Sequence, residues 1–251
     1  MNILEIENLN FSYNDISIFN NLKLSIKKNS FNFLSGNNSC GKTTLLKIIA
    51  GLIPTNNIKY SNKKIDSNKL KNKVSYIDNT FINYGKTVKD ELNILFDQDS
   101  TNAIKKILKE FNLEDIINKS PNSLSYLTQI KLNIIKGLIL KKKIILLDNV
   151  FSSFGKKETN NFLKLLKSYA EKNDMTVIIS ENDTENIFEF DNIILIHDKR
   201  VVFNDNYIDE DLFSEIGINL PFVCELSDKL LLYELIKEDN YNLEELVKMI
   251  C

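Results

Sequence analysis

Side chains suited to soft metals and to disulfides are scarce in this sequence. Three cysteines (Cys40, Cys224 and Cys251) and one histidine (His197) occur among 251 residues, at no spacing that would build a zinc site. The odd cysteine count fits a reduced compartment. Apolar runs such as Ile144 to Leu147 stop after a few positions, far short of the roughly 18 residues of a membrane-crossing helix, so any membrane association is expected to pass through a partner. The opening residues alternate Ile3, Leu4 and Ile6 with Glu5 and Glu7. They lack the basic and apolar segments of a secretory leader, which gives a cytoplasmic expectation. Neither sign of charge dominates. The 32 Lys and Arg against 34 Asp and Glu leave a formal net charge of −2, which argues against a nucleic-acid partner.

What is present is the composition of an ordinary folded protein, 43% hydrophobic and 26% charged, at a length that suits one large α/β domain with an appendage. Short apolar runs read as strands: Ile3 to Ile6, Phe11 to Tyr13, the alternation Leu22, Leu24, Ile26, and Phe31 to Leu34. They predict an antiparallel β lead-in to a mainly parallel sheet. From Gly41 to Ala50 the period turns helical, and Val74 to Ile77 reads as a buried strand. From Thr87 to about Asn118 the spacing predicts a helical block, with Ile104, Ile107, Leu108 and Phe111 on one face. Ser125 is placed to cap a helix whose apolar stripe carries Leu127, Ile130, Ile134 and Leu138. The continuous run Ile144 to Leu147, ending in Asp148, is expected of a strand covered on both faces. A helix around Phe162 to Tyr169, a strand at Thr176 to Ser180 and a hairpin turning at Asp198 and Lys199 follow, with a helical tail from about Asp209. Strand and helix alternate without internal repeats, which predicts an α/β fold with helices on both sides of the sheet.

Residues 36–44 read Gly36-Asn37-Asn38-Ser39-Cys40-Gly41-Lys42-Thr43-Thr44, which satisfies G-x-x-x-x-G-K-[ST] between a strand and a helix. Those residue types match a triphosphate. Small residues let backbone N–H groups wrap the phosphates, and the helix N-terminus adds positive potential. Lys42 reaches the β and γ oxygens, and Thr43 offers a hydroxyl to Mg²⁺. Asp148, at the end of its strand, is the expected carboxylate for that metal, although an aspartate after a strand also serves as an ordinary cap. Cys40 lies where a helix N-terminus lowers a thiol's pKa; the alternative is a small residue filling the loop.

In this order the segments resemble the ATP-binding subunits of ABC transporters. Ile6 to Tyr13 is similar to the family's first strand, which implies that the Tyr13 ring stacks on adenine. Leu124-Ser125 after Pro121 stands where the family's L-S-G-G-Q signature follows a proline, implying that Ser125 serves the ATP held by a partner subunit. Asp148 then matches the family's metal carboxylate, acting through water. Thr176 to Ser180 is similar to the strand leading into the switch histidine, with Asn182-Asp183 where the family has His-Asp. The stretch Phe213 to Leu226, with Gly217 and Pro221, resembles the end of energy-coupling factor (ECF) transporter ATPases; a plain helical cap is the alternative.

The resemblance implies a P-loop NTPase of the ABC ATPase type. Residues 1–205 would form the ATP-binding domain, with a helical subdomain over about 86–142, and 206–251 a helical extension. It implies ATP and Mg²⁺ as cofactors and a head-to-tail dimer with a second ATPase subunit, expected to be a heterodimer. In the ECF subfamily it also implies a transmembrane coupling protein and a substrate-binding membrane protein, which place this chain peripherally on the cytoplasmic face of the cell membrane. The rival readings are an exporter subunit and a nucleotide-gated regulatory or structural protein.

The departures from the family fall on hydrolytic positions. Asn149 stands for the catalytic glutamate, Asn79 for the glutamine after the Val74 strand, and Asn182 for the histidine. Ser152-Ser153-Phe154-Gly155 has lost the aspartate of its loop, and the signature reads Leu124-Ser125-Tyr126-Leu127-Thr128. A neutral amide cannot accept a proton, and general-base catalysis contributes roughly 10²–10⁴ in rate. Losing a negative charge beside the γ-phosphate leaves binding intact or improved. Bulky Tyr126 and Leu127 obstruct the close approach that a Gly-Gly pair permits. Drift could account for any single asparagine, and a shifted signature for part of the pattern. As a group the changes predict retained binding and slow turnover. His197, one strand too late for the switch, reads as a surface residue.

Overall fold

The alternating apolar residues of the N-terminal segment fold as two long strands, β1 (Asn2–Tyr13) and β2 (Ile16–Lys27). The computed structural model describes residues 1–96 and 100–250; positions 97–99, inside the predicted helical block, and Cys251 lie outside the described residues. Strand β3 (Phe31–Gly36) leads through the glycine-containing loop into helix α1 (Lys42–Ile49). Two short strands, β4 (Ile58–Tyr60) and β5 (Lys63–Lys64), and helix α2 (Ser67–Lys71) precede strand β6 (Val74–Ile77). The helical block contains α3 (Val88–Asn93) and α4 (Thr101–Glu110). Thr87 starts α3 with a reciprocal capping box to Asp90. Helix α5 (Tyr126–Ile139) is capped by Ser125, as its sequence predicts. Strand β7 (Ile144–Asp148), helix α6 (Lys156–Lys172) and strand β8 (Thr176–Ser180) follow. Strands β9 (Asn192–His197) and β10 (Arg200–Asp205) form the expected hairpin. Its two turn residues, Asp198 and Lys199, have φ of 42° and 65°, as a type I′ turn requires.

The strands divide into two sheets. The larger has the order β10-β9-β3-β8-β7-β6, with every pairing parallel except the β9–β10 hairpin. The smaller has the order β2-β1-β4-β5 and is antiparallel. The expected antiparallel lead-in is present and forms a sheet of its own beside the parallel one. β1 and β2 build a separate layer, because β1 pairs on its other edge with β4, a strand too short to show any period in the sequence. β3, β7 and β8 have no exposed residue, as parallel strands covered on both faces should.

Strand alternation sends side chains to two different cores. Val74, Ile144, Leu146 and Ile178 pack with Leu45, Leu46, Ile48 and Ile49 of α1 and with the inward residues of the small sheet. Ile77, Ile145, Leu147, Val177 and Ile179 pack against α5, α6 and the helical block. A third cluster joins Phe33 of β3 and Leu195 of β9 to Phe213, Ile216 and Ile218. Phe213 lies on α7 (Glu210–Glu215), the first helix of the tail, which continues as α8 (Phe222–Leu232), starting at Pro221, and α9 (Leu243–Ile250).

Phe213 is fully buried and is the largest tail side chain in this contact. Phe213→Ala should cost about 3–5 kcal/mol, the usual range for deleting a buried phenyl ring. Urea unfolding of the variant, together with limited proteolysis across residues 206–221, checks this. A cost under about 1 kcal/mol would mean that the tail does not depend on this packing.

Candidate functional site

The phosphate loop is the connection between β3 and α1, and two glycines give it its shape. Gly41, the residue before the helix, has φ of 105°, and a Cβ there would meet the Phe19 ring at 2.8 Å. At Gly36, φ is 151° and a Cβ would meet the carbonyl oxygen of Ile196 at 2.3 Å. Neither position accepts an L side chain without displacing its neighbours. Across the loop, Lys42 Nζ donates to the carbonyl oxygens of Gly36 (2.6 Å) and Asn37 (3.2 Å).

Asp148 reaches the same place because β3, β8 and β7 are adjacent and parallel, so their carboxyl ends lie side by side. Thr43 Oγ1 donates to Asp148 Oδ1 at 3.2 Å, and the hydroxyl of Tyr76 donates to Asp148 Oδ2 at 2.7 Å. A cavity of about 280 Å³ opens over this contact. It is bounded by loop residues Asn38, Ser39 and Gly41 to Thr44, by Asp148 and Asn149, and by Ser180 at the end of β8 and Asn182 beyond it. Ile18 of β2 supplies an apolar wall.

The three predicted catalytic asparagines are bonded into this frame. Asn182 Nδ2 donates to Asn38 Oδ1 at 3.2 Å, which ties the segment after β8 to the phosphate loop. Asn149 has φ of 53°, a left-handed conformation that asparagine tolerates better than most residues, and its N–H donates to the Ser180 carbonyl at 2.9 Å. Asn79 Nδ2 donates to the Asn149 carbonyl at 2.8 Å. The Asn79 Oδ1 is buried and has no hydrogen-bond partner among the described residues.

Other predicted binding residues lie outside the cavity wall. Asn37 turns its amide away to donate to the Ile216 carbonyl at 2.9 Å. Tyr13 packs edge-on against Phe11, with ring centroids 4.9 Å apart. Ser125 caps α5, accepting from the Thr128 N–H at 3.3 Å. The following Tyr126 is 47% exposed, with one edge against Phe81. Cys40 corrects an expectation: burial raises its thiol pKa and outweighs the lowering by Lys42, so the helix N-terminus does not make it a ready thiolate.

The donor set suits Mg²⁺. Thr43 and Asp148 present hard oxygens 3.2 Å apart beside a phosphate-binding loop, and Mg²⁺ takes few protein ligands, with water and phosphate completing its octahedron.

Two residues at the site have no motif to flag them. One is Tyr76, for which strand parity is the available signal: it lies on the same face of its strand as Val74, and long enough to reach a neighbour's end. The other is Glu181, 8% exposed, whose Oε1 accepts the Phe151 N–H at 2.8 Å. Desolvation pushes the Glu181 carboxyl up to about 7; the Phe151 bond opposes the rise, while Asp183 and Asp148 add to it.

An acid whose folded pKa is raised binds more protons folded than unfolded, so stability falls as pH climbs from about 4.5 to about 7. Between pH 5 and pH 8 the nucleotide-free protein should lose stability on the order of 3 kcal/mol at most from this group. Glu181→Gln, which keeps an acceptor for Phe151, should abolish that slope. Denaturant melts at both pH values check it, and equal slopes in the two proteins would refute it.

Comparison with known proteins agrees with this geometry. Residues 19–152, over half of the chain, match the family described as ABC transporter. The energy-coupling factor transporter ATP-binding protein EcfA of Pediococcus pentosaceus is 27% identical over 253 aligned positions, covering 91% of this chain and 89% of that protein. The ergothioneine transport ATP-binding protein EgtV of Helicobacter pylori is 29% identical, covering 73% of this chain and 91% of that protein. The solved structure of cbiO1 from Clostridium perfringens, described as part of the ABC transporter complex cbiONQ, matches the fold with a TM-score of 0.76. It is 22% identical and covers 92% of this chain and 95% of that one. The matched segment contains the phosphate loop, Asn79, Ser125 and Asp148, and the chain belongs to the ABC transporter family as an ATP-binding subunit.

Proposed function

We propose that this chain is an ATP-binding subunit of an importer of the energy-coupling factor type, which holds MgATP and closes on a partner ATPase but hydrolyses slowly on its own. The observation that carries the reading is a phosphate loop and metal carboxylate in working juxtaposition, with Thr43 3.2 Å from Asp148, in one cavity with neutral amides at the two hydrolytic positions.

The importer assignment rests on the tail. The alignment to EcfA omits 9% of the chain, which is fewer residues than 206–251 contain, so it must extend into the tail. Several further ECF transporter ATP-binding proteins cover 91–92% of the chain in the same way. The relative EgtV covers 73%. Among the described residues no helix is long and apolar enough to cross a membrane, so transport by this subunit needs a membrane partner. A groove of about 440 Å³ between the end of β6 and the helical block suits such a partner. Exposed Ile82, Tyr84 and Ile94 stand on its rim. Glu91 fixes the rim loop by accepting from the N–H groups of Tyr84 (2.7 Å) and Gly85 (2.6 Å) and pairing with Lys136 at 2.7 Å.

In the bound state Lys42 and the backbone N–H groups of the loop hold the triphosphate, and the Tyr13 ring offers a face to adenine. Thr43 and Asp148 would hold Mg²⁺, which would supply charge neutralisation at the phosphates. Asn149 and Asn182 can orient water and donate to the γ-phosphate. Asn149 cannot take up a proton, and Asn182 brings no imidazolium charge to the transition state. Ser125 faces the partner's nucleotide in a head-to-tail dimer, where Tyr126 keeps the two surfaces apart.

Two outcomes follow. A fluorescent ATP analogue should bind saturably in the presence of Mg²⁺, and Lys42→Ala should weaken that binding at least about tenfold, a loss of one charge-assisted contact of the usual 1.5–3 kcal/mol. No saturation would end the nucleotide-binding reading. The double variant Asn149→Glu with Asn182→His should hydrolyse ATP in single turnover roughly 10²–10⁴ times faster than the natural protein. Equal rates would show that these asparagines do not limit turnover.

A further inference from the structure

We propose that Tyr76 is a positioning residue for Mg²⁺, holding the Asp148 carboxylate in the one orientation that serves the metal. The inference deepens the nucleotide-site reading above and rests on it.

The arrangement begins in the sheet register. β6 and β7 run parallel, with Tyr76 opposite Leu146 and Ile77 opposite Leu147. Side chains alternate along a strand, so Tyr76, Leu146 and Asp148 share the face that carries α1 and the phosphate loop. Asp148 lies one side-chain repeat beyond Leu146, a step that a tyrosine ring spans and a leucine or valine does not. The phenolic oxygen reaches Asp148 Oδ2 at 2.7 Å.

The two carboxylate oxygens are thereby divided. Oδ2 accepts from Tyr76, and Oδ1 faces Thr43 Oγ1 at 3.2 Å, where the Mg²⁺ ligands gather. Asp148 is 7% exposed, so water has little access to replace the phenol. It is also the one acid among the described residues lining the cavity. With an amide at position 149, the metal's hold on this side of the site depends on how a single carboxylate is turned. A tyrosine that merely satisfied its own buried hydroxyl would have no effect on metal dependence. One that orients the ligand should affect little else, since partners behind a metal ligand typically contribute 10–100-fold in metal affinity.

The test is equilibrium titration of a fluorescent ATP analogue in Mg²⁺ and in EDTA, on the natural protein, Tyr76→Phe, Asp148→Asn and the double variant, with urea melts of each nucleotide-free protein. Tyr76→Phe is expected to cut the Mg²⁺ enhancement of affinity at least tenfold and leave the affinity in EDTA unchanged. In the Asp148→Asn background the same change should add nothing, because the group it orients is gone. Equal weakening in Mg²⁺ and EDTA, an unaltered Mg²⁺ enhancement, or additive losses in the double variant would each overturn the proposal, whatever the melts show about the fold. Absence of nucleotide binding by the natural protein in either condition would instead overturn the reading of the site itself, and Tyr76's role with it.

Discussion

The site depends on the parallel pairing of β3, β8 and β7. Each strand is buried on both faces, so none can slip in register without moving its whole apolar set out of a packed core. That constraint fixes where the carboxyl ends fall, and therefore how far the phosphate loop after β3 lies from Asp148 at the end of β7. Thr43 and Asp148 meet at 3.2 Å although 105 residues separate them in the chain. Ser180, at the end of β8, lies between them in the sheet order, which is why Asn149 can donate to its carbonyl and why Asn182 reaches back to Asn38. Nothing about these contacts is local in sequence; all are inherited from the ladder.

Within that frame the amides form a neutral network. Asn182 bonds Asn38 and Asn79 bonds the backbone of Asn149, while the Asn79 Oδ1 has no partner among the described residues. Such a network can keep a loop ordered for a ligand, because hydrogen-bond donors and acceptors are all it needs. It cannot carry a proton from water to solvent or concentrate positive charge on a developing phosphoryl transition state. Binding and turnover separate at this point. Under the proposed function, binding rests on Lys42, Thr43, Asp148 and the loop backbone, and slow turnover on the amides at Asn149 and Asn182. Asn149 has a further structural reason to be where it is: with φ of 53° it occupies a conformation that costs most residues energy and asparagine little.

Much of this was readable from the residues. The phosphate loop carries its own signature, Ser125 its cap, Ile144 to Asp148 its unbroken apolar run, and Asp198-Lys199 the turn between two alternating segments. What escaped has a common cause. Strands β4 and β5 are only three and two residues long, so they have no period to read. The alternation of β1 and β2 says which side chains turn inward, but not that the two strands form a sheet of their own, because pairing partners are chosen by distant segments. The Tyr76–Asp148 contact needs the β6–β7 register before it can be seen, and the sequence does not contain that register. For Cys40, the helix N-terminus alone suggested a lowered pKa. Its packing beside the inward residues of the small sheet reverses the direction, since desolvation exceeds the favourable field.

The tail belongs mechanically to the phosphate loop rather than standing beside it. Phe213, Ile216 and Ile218 pack on Phe33, whose strand continues directly into the loop. Asn37 inside the loop donates to the Ile216 carbonyl at 2.9 Å, and Thr184, two residues beyond Asn182, donates to the Asn219 carbonyl at 2.8 Å. Glu185 accepts the N–H of Phe222 at 3.3 Å, at the start of α8. The stretch from Ile216 to Phe222 therefore touches both elements that flank the cavity, the loop on one side and the switch segment on the other. The apolar contacts beneath it hold this stretch against the β3 strand. The tail is thereby tied to the loop after β3 and to the segment after β8, by the same burial that holds β3 in place.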